Sequence, residues 1–367
     1  MHDIWKIVSV RNMDLRDRRF AWHFGNAPER RAWAVNERLT IFGSGNWGLA
    51  LADQASRSMA QVMVYVRRRE LQQFLTTRRQ HPDYLRHLTF SSQVSFTNDL
   101  EEAARFSPYW VLAVPSQHMR DIGQRLEPWI PVARYAVSAA KGLEVGTDRR
   151  MTEVLRECWH GAKVELGVLS GPNLAGEISQ GQPAASVLAG SPALFKSMAN
   201  ILGQGNLRLY GQRDIVGVEL GGAFKNILAI AVGIAVESGL GDNAQAAIMT
   251  RGLHEMGRLA VRMGARWETL AGLSGLGDVV ATSNSPSSRN RWFGQELAKG
   301  RSVDAILGST PMVVEGVPTA YAARDLGQKF GLPVPITTEV VEIFNGKSVK
   351  LAVEALMSRQ RVEESDR

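Results

Sequence analysis

The segments Leu39-Thr-Ile-Phe42, Gly43-Ser-Gly-Asn-Trp-Gly48 and Leu49 to Ser56 follow one another without interruption. An apolar run, a glycine turn and a helical run in that order constrain the fold more than any other stretch of the chain. The spacing G-x-G-x-x-G has a physical reason: the first glycine (Gly43) makes the turn, the second (Gly45) lets the backbone approach a pyrophosphate, and the third (Gly48) admits close helix packing. N–H groups at the start of the helix then face an anion. A second apolar run, Gln61 to Val66, completes a βαβ unit of roughly 30 residues, the span of a mononucleotide-binding half. Standing alone, the same glycines would also fit a tight turn with no ligand.

More strands are expected at Tyr109–Val114, Ala136–Ala140, Val164–Leu169 and Ala185–Ala189, with helical patterns between several of them. Such alternation predicts a parallel, doubly wound α/β sheet that binds ligands at the carboxyl ends of its strands. Lys141 and Ser170-Gly-Pro-Asn173 fall just past two such ends. From about Asp214 the texture changes to long segments rich in Ala, Leu, Glu and Arg, broken by glycines at Ser238–Asp242 and Gly272–Asp278. Residues 215–236, apolar on most faces, predict a central buried helix, and Gly221-Gly222 would let a neighbouring backbone come close. The expected organisation is a basic, poorly ordered extension over residues 1–35, a dinucleotide-binding domain over 36–211 and an all-helical substrate and catalytic domain over 212–367. No solenoid repeat or low-complexity linker interrupts this plan.

Composition narrows the function classes. With 44% hydrophobic and 22% charged residues, the chain is neither disordered nor fibrous. The most apolar stretch, Asn226 to Val236, is bracketed by Lys225 and Glu237 and falls short of the roughly 20 residues of a membrane span. A surplus of 43 Lys and Arg over 36 Asp and Glu suits anionic partners without pointing to nucleic acid. Residues 1–35 hold seven of the basic and four of the acidic residues, and they lack the apolar core of a secretory signal. Trp5, Trp22 and Trp33 are unusual company for a disordered tail, so an interaction arm stays open. Cys158 is the only cysteine, which excludes an intrachain disulfide and a Cys-rich metal site and favours a reducing cytoplasm. The seven histidines show no metal-ligand spacing, so no metal is expected, and no G-x-S-x-G elbow is present.

Four stretches carry chemistry. Past the second strand the chain reads Val66-Arg67-Arg68-Arg69, where an NAD site commonly has an acid; a guanidinium, best placed at Arg67, would pair with a 2′-phosphate and favour NADP over NAD. The alternative is an exposed basic loop. Lys225 sits among apolar helical neighbours, a place for an acid/base group whose pKa is lowered by burial, or for a structural pair with a carboxylate such as Glu219. Asp278 closes Gly272-Leu-Ser-Gly-Leu-Gly-Asp278, which on its own suggests a helix cap. Ser288, Arg289 and Asn290 together offer a hydroxyl, a forked cation and an amide, a set suited to a phosphate monoester or simply a solvated face.

In their order these pieces resemble the bacterial-type NAD(P)-dependent glycerol-3-phosphate dehydrogenases. The matching stretches are Gly43–Ala52, Ala139–Glu144, Ser170–Ile178, Val218–Asn226, Gly272–Asp278, Ser288–Asn290 and Val314–Val317, collinear over roughly five-sixths of the chain. The resemblance implies a Rossmann-like domain followed by a helical domain, and reversible reduction of dihydroxyacetone phosphate to sn-glycerol 3-phosphate for glycerophospholipid synthesis. By the same resemblance Lys225 would exchange the proton. Lys141 would face cofactor and substrate, Gly171, Asn173, Asp278, Ser288 and Asn290 would hold substrate, and Arg289 would bridge the two ligands. Asn46, Trp47, Arg67, Ala175, Val313 and Glu315 would join the glycine turn on NADP or NAD, with NADPH favoured. A homodimer is compatible with this picture.

Departures are Asn46 where the family usually has serine, Ser283 where cysteine is common, and a shorter Ser238–Asn243 turn. Two other readings stay open: a related two-domain dehydrogenase acting on another phosphorylated or acidic hydroxy compound, and a nucleotide-sensing protein that kept only the first half.

Overall fold

The computed structural model describes residues 37–359 except Met59 and Pro311; the expectations for residues 1–35 lie outside them. Eight strands form one sheet: β1 (Arg38–Phe42), β2 (Gln61–Tyr65), β3 (Val94–Thr97), β4 (Tyr109–Leu112), β5 (Tyr135–Ser138), β6 (Glu165–Ser170), β7 (Ala184–Ala189) and β8 (Leu207–Gln212). Their order is β3-β2-β1-β4-β5-β6-β7-β8. Between them run α1 (Asn46–Ser56), α2 (Arg69–Arg78), α3 (Leu100–Phe106), α4 (Met119–Leu126), α5 (Met151–Cys158), α6 (Ala175–Ser179) and α7 (Pro192–Leu202). Successive side chains on a strand alternate faces. Leu39, Ile41, Val62 and Val64 therefore enter one core while Phe42, Met63, Tyr65 and Trp110 enter the other. Burial on both faces is why these strands read as unbroken apolar runs.

The expected all-parallel sheet needs one correction, because β6 and β7 pair antiparallel. Their connection contains only the five-residue α6, which rises roughly 8 Å, whereas a six-residue strand spans roughly 20 Å. The chain never regains the amino-terminal edge of the sheet, so β7 runs back. Strands β3 and β8 were not foreseen. Both are sheet edges, where short length and polar content, as in Val94-Ser-Phe-Thr97 or Arg208 and Gln212, are ordinary and blur the apolar signal.

After Gln212 every described element is helical: α8 (Ile215–Glu237), α9 (Asp242–Arg262), α10 (Trp267–Leu270), α11 (Asp278–Asn284), α12 (Arg289–Ala298), α13 (Val303–Gly308), α14 (Gly316–Phe330), α15 (Pro335–Phe344) and α16 (Val349–Met357). Helix α8 is the axis of this half. Asp214 caps it by accepting from the Gly217 N–H at 2.8 Å, and residues 217–235 are all buried. By length and hydropathy α8 could cross a membrane, yet 89% of its apolar window is buried inside the fold, which makes it a core helix. Each buried Ile, Leu or Val on it contributes about 1.5–3 kcal/mol.

Candidate functional site

At the carboxyl ends of β1, β2, β4 and β5, a cavity of about 770 Å³ extends to the helical half and is lined from both sides. The glycine turn forms one end. Gly43 has φ +124°, and a Cβ there would lie 2.5 Å from the Ala113 carbonyl oxygen; one on Gly48 would lie 2.1 Å from the Gly43 carbonyl oxygen. Around Gly45 there is open space. The turn is thus tight where it folds and packs and clear where a phosphate would approach. Helix α1 begins there with no acidic residue in its first turn and no side-chain cap, which leaves N–H groups for an anion. Trp47 Nε1, beside the cavity, is buried without a protein partner. These features fit a dinucleotide. Arg67 and Arg68 line the cavity where β2 ends.

At the opposite end three charged side chains from three elements meet. Lys141, just past β5, donates to the Gly171 carbonyl at 2.9 Å, to Asn173 Oδ1 at 2.6 Å and to Asp278 Oδ2 at 2.5 Å. Lys225, in the middle of α8, donates to Thr282 Oγ1 at 2.6 Å and lies 3.0 Å from Asp278 Oδ1. Thr282 in turn donates to Asp278 Oδ1 at 3.1 Å. Asp278 is therefore the shared anion between two lysines. Burial pushes its pKa up, but the two ammonium groups outweigh that and hold it below the ordinary carboxylate value. Desolvation lowers Lys141 to about 8, reinforced by the like charge of Lys225 and only partly offset by Asp278.

The donor inventory separates the lysines. An ammonium group has three N–H donors; Lys141 uses all three on protein acceptors, whereas Lys225 has two partners and keeps one donor for the cavity. The pairing of Lys225 with Glu219 considered from sequence does not form. Glu219 instead accepts from Arg150 Nη1 at 2.6 Å and from the Thr152 N–H at 2.8 Å.

Of the residues singled out from sequence, Gly43, Gly45, Asn46, Trp47, Arg67, Lys141, Asn173, Ala175, Lys225, Ser288, Arg289, Asn290, Val313 and Glu315 line the cavity. Gly48, Gly171 and Asp278 stand behind its wall and act through Gly43 or Lys141. Asp278 is not a helix cap, as its motif alone suggested; Gly277 holds the cap position and Asp278 opens α11. Ser288 caps α12, accepting from the Arg291 N–H at 3.2 Å. The Asn290 amide is largely engaged, donating to Asn226 Oδ1 at 2.8 Å and accepting from the Gly316 N–H at 3.0 Å. Glu315 accepts from the Ser116 N–H at 2.9 Å and from its hydroxyl; burial raises its pKa against those bonds and the nearby Arg289.

Sequence reasoning gave no role to Thr282, Asn226 or Ser116. Thr282 lies four residues after Asp278 on α11, hence on the same face, a relation that is informative only once Asp278 is known to matter. Asn226 donates to the Lys141 carbonyl at 2.9 Å and so ties the end of β5 to α8. Among the described residues no group of three His, Cys, Asp or Glu side chains could hold a metal ion.

Comparison with known proteins bears on both halves. Residues 38–194 match the N-terminal model, and residues 214–354 the C-terminal model, of NAD-dependent glycerol-3-phosphate dehydrogenase. The chain is 41% identical over 328 residues to glycerol-3-phosphate dehydrogenase [NAD(P)+] of Thermobifida fusca, covering 88% of this chain and 97% of that one. It is 40% identical to the protein of the same name from Moorella thermoacetica, covering 90% and 98%. The crystal structure of glycerol-3-phosphate dehydrogenase from Coxiella burnetii superposes with a TM-score of 0.84 at 33% identity, over 88% of this chain and 99% of that one.

Proposed function

We propose that this chain, which belongs to the NAD-dependent glycerol-3-phosphate dehydrogenase family, catalyses the reversible reduction of dihydroxyacetone phosphate to sn-glycerol 3-phosphate. The observation that carries the reading is the Lys141–Asp278–Lys225 cluster, whose two lysines line the same cavity as Arg67 and Arg68 past the end of β2. A nicotinamide cofactor, when bound, supplies the hydride. The glycine turn and the start of α1 hold its pyrophosphate in this reading, with Trp47, Ala175, Val313 and Glu315 along its length.

The chain's own residues manage one proton and one developing charge. Lys225 uses its free N–H to give a proton to the carbonyl oxygen as it becomes an alcohol, and receives it in the reverse direction. Thr282 and Asp278 fix that ammonium in place. Lys141, its three donors held by the protein, acts as a fixed positive charge beside the same oxygen. Arg289, with Ser288 and Asn290 at the start of α12, faces the substrate phosphate with a guanidinium and helix N–H groups. Arg67 favours NADPH through its 2′-phosphate. The product would serve as the backbone for glycerophospholipids, and the single cysteine fits a cytoplasmic location.

Mixing the purified chain with NADPH and either dihydroxyacetone phosphate or dihydroxyacetone tests the reading. Oxidation of NADPH with the phosphorylated ketone alone supports it. Equal rates with both ketones, or none with either, would overturn it.

A further inference from the structure

Between α10 and α11 the break read from sequence is confined to Gly272, whose backbone is extended, and the rest of the glycine-rich stretch is helical. Residues 273–277 form a π turn, closed by a hydrogen bond from the Gly277 N–H to the Gly272 carbonyl at 3.1 Å. That i to i+5 bond places one residue more in the turn than an α-helix holds. At 3.6 residues per turn, each extra residue rotates everything after it by about 100°. Asp278 is the next residue, and Thr282 follows one α-turn later on the same face.

We propose that this π turn is the aiming device of the site: its extra residue rotates Asp278 and Thr282 onto Lys141 and Lys225, and Gly275 and Gly221 are the positions that hold it. The inference rests on the function proposed above. Leu276, on the outer side of the turn, is 41% exposed, while Ser274 and Gly275 are buried. A Cβ on Gly275 would fall 1.9 Å from the Leu270 carbonyl oxygen and 2.6 Å from its carbon, backbone atoms that cannot swing aside. From the other side, a Cβ on Gly221 would fall 2.7 Å from the Ser274 carbonyl oxygen. Gly221 is one turn before Lys225 on α8. The two glycines therefore set how closely the helix bearing Lys225 approaches the turn that delivers Asp278. Gly277 has no such neighbour, since its Cβ would meet nothing nearer than 3.7 Å.

Gly275→Ala and Gly277→Ala test this together with wild type, and a deletion of Leu276 addresses the rotation directly. With NADPH and dihydroxyacetone phosphate, Gly275→Ala and the deletion are expected to lower kcat about 100-fold or more with the NADPH Kd changed less than about threefold, because the glycine turn at residues 43–48 is untouched. Gly277→Ala should stay within about threefold of wild type in both. The charged groups facing Lys141 are Asp278 from α11 and Lys225 from α8, so withdrawing Asp278 should also move the alkaline limb of the rate profile to lower pH, which a merely structural role would not do. Retained NADPH binding certifies the fold; if Gly275→Ala does not bind, the deletion decides. Wild-type kcat and pH profile in the folded variant, or equal losses in Gly275→Ala and Gly277→Ala, would overturn the π-turn role. Absence of turnover in wild type would instead overturn the proposed function.

Discussion

Replacing Asp278 by Asn removes the one anion between two buried lysines without changing the side-chain shape. Its Oδ2 lies 2.5 Å from Lys141 Nζ, and the two side chains are 2% and 14% exposed. For unit charges about 4 Å apart at an effective dielectric of about 20, the attraction is about 4 kcal/mol, or about 3 pK units. Measured shifts from one neighbouring charge are about 1–3 units. Lys141, held at about 8 with Asp278 present, should therefore fall further in the variant. The sign follows from charge: the carboxylate favours the ammonium form, so its removal favours neutral amine. The variant's Lys141 is therefore neutral over more of the working pH range than the wild-type's and stabilises the developing alkoxide less. A loss of about 10²–10³ in kcat is expected, with part of it recovered as the pH falls toward about 6. Initial rates of NADPH oxidation with saturating dihydroxyacetone phosphate from pH 5.5 to 9 measure both, and NADPH binding confirms the fold. An alkaline limb at the wild-type position, or one moved to higher pH, would refute the assigned coupling.

Other substitutions separate the remaining roles. Lys225→Ala should lower kcat by about 10²–10⁴ and leave the NADPH Kd within about threefold; near-normal turnover would remove Lys225 as the proton donor. Arg67→Glu replaces a charge-assisted bond with repulsion and should weaken NADPH about 10-fold to 100-fold with little change for NADH, as read by titration calorimetry, and equal effects on both would dismiss the 2′-phosphate contact. Glu219→Ala strips buried Arg150 and Thr152 of their shared acceptor and should cost about 3 kcal/mol in urea unfolding. A cost below about 1 kcal/mol would mean that Glu153, the other partner of Arg150, suffices.

What the sequence made legible follows the range of the interactions. The glycine turn could be read because its three requirements fall within six residues, and each glycine performs its own part in the fold. Lys225 was legible as a buried charge among Phe224, Ile227 and Leu228, but not its partner. Glu219 is near in sequence yet bonded to Arg150, whereas Asp278 is 53 positions away and reaches Lys225 through the packing of α11 on α8. Strand direction was equally hidden, since Ala184–Ala189 carries the same apolar pattern whichever way it runs. Gly272 does break the chain, but the helical turn over residues 273–277 was hidden in the same segment because glycine disfavours helix. Here the absence of Cβ at Gly275 is what lets the turn close beneath Leu270.

The charge surplus takes on a more specific sense once the cavity is known. Its lining carries six cations, Arg67, Arg68, Arg125, Lys141, Lys225 and Arg289, against three carboxylates, Asp121, Glu177 and Glu315. A concave wall with that imbalance focuses its field inward and concentrates small anions. The cations are also divided, with arginines at the end of β2 and lysines at the ends of β5 and in α8, and the uncapped start of α1 between them. The arginines at the end of β2 are exposed and the two lysines largely buried, so a small anion gains the stronger attraction at the lysine end. Asp278 makes two buried lysines side by side tolerable, because it neutralises one of the two charges while leaving a Lys225 donor free for the cavity.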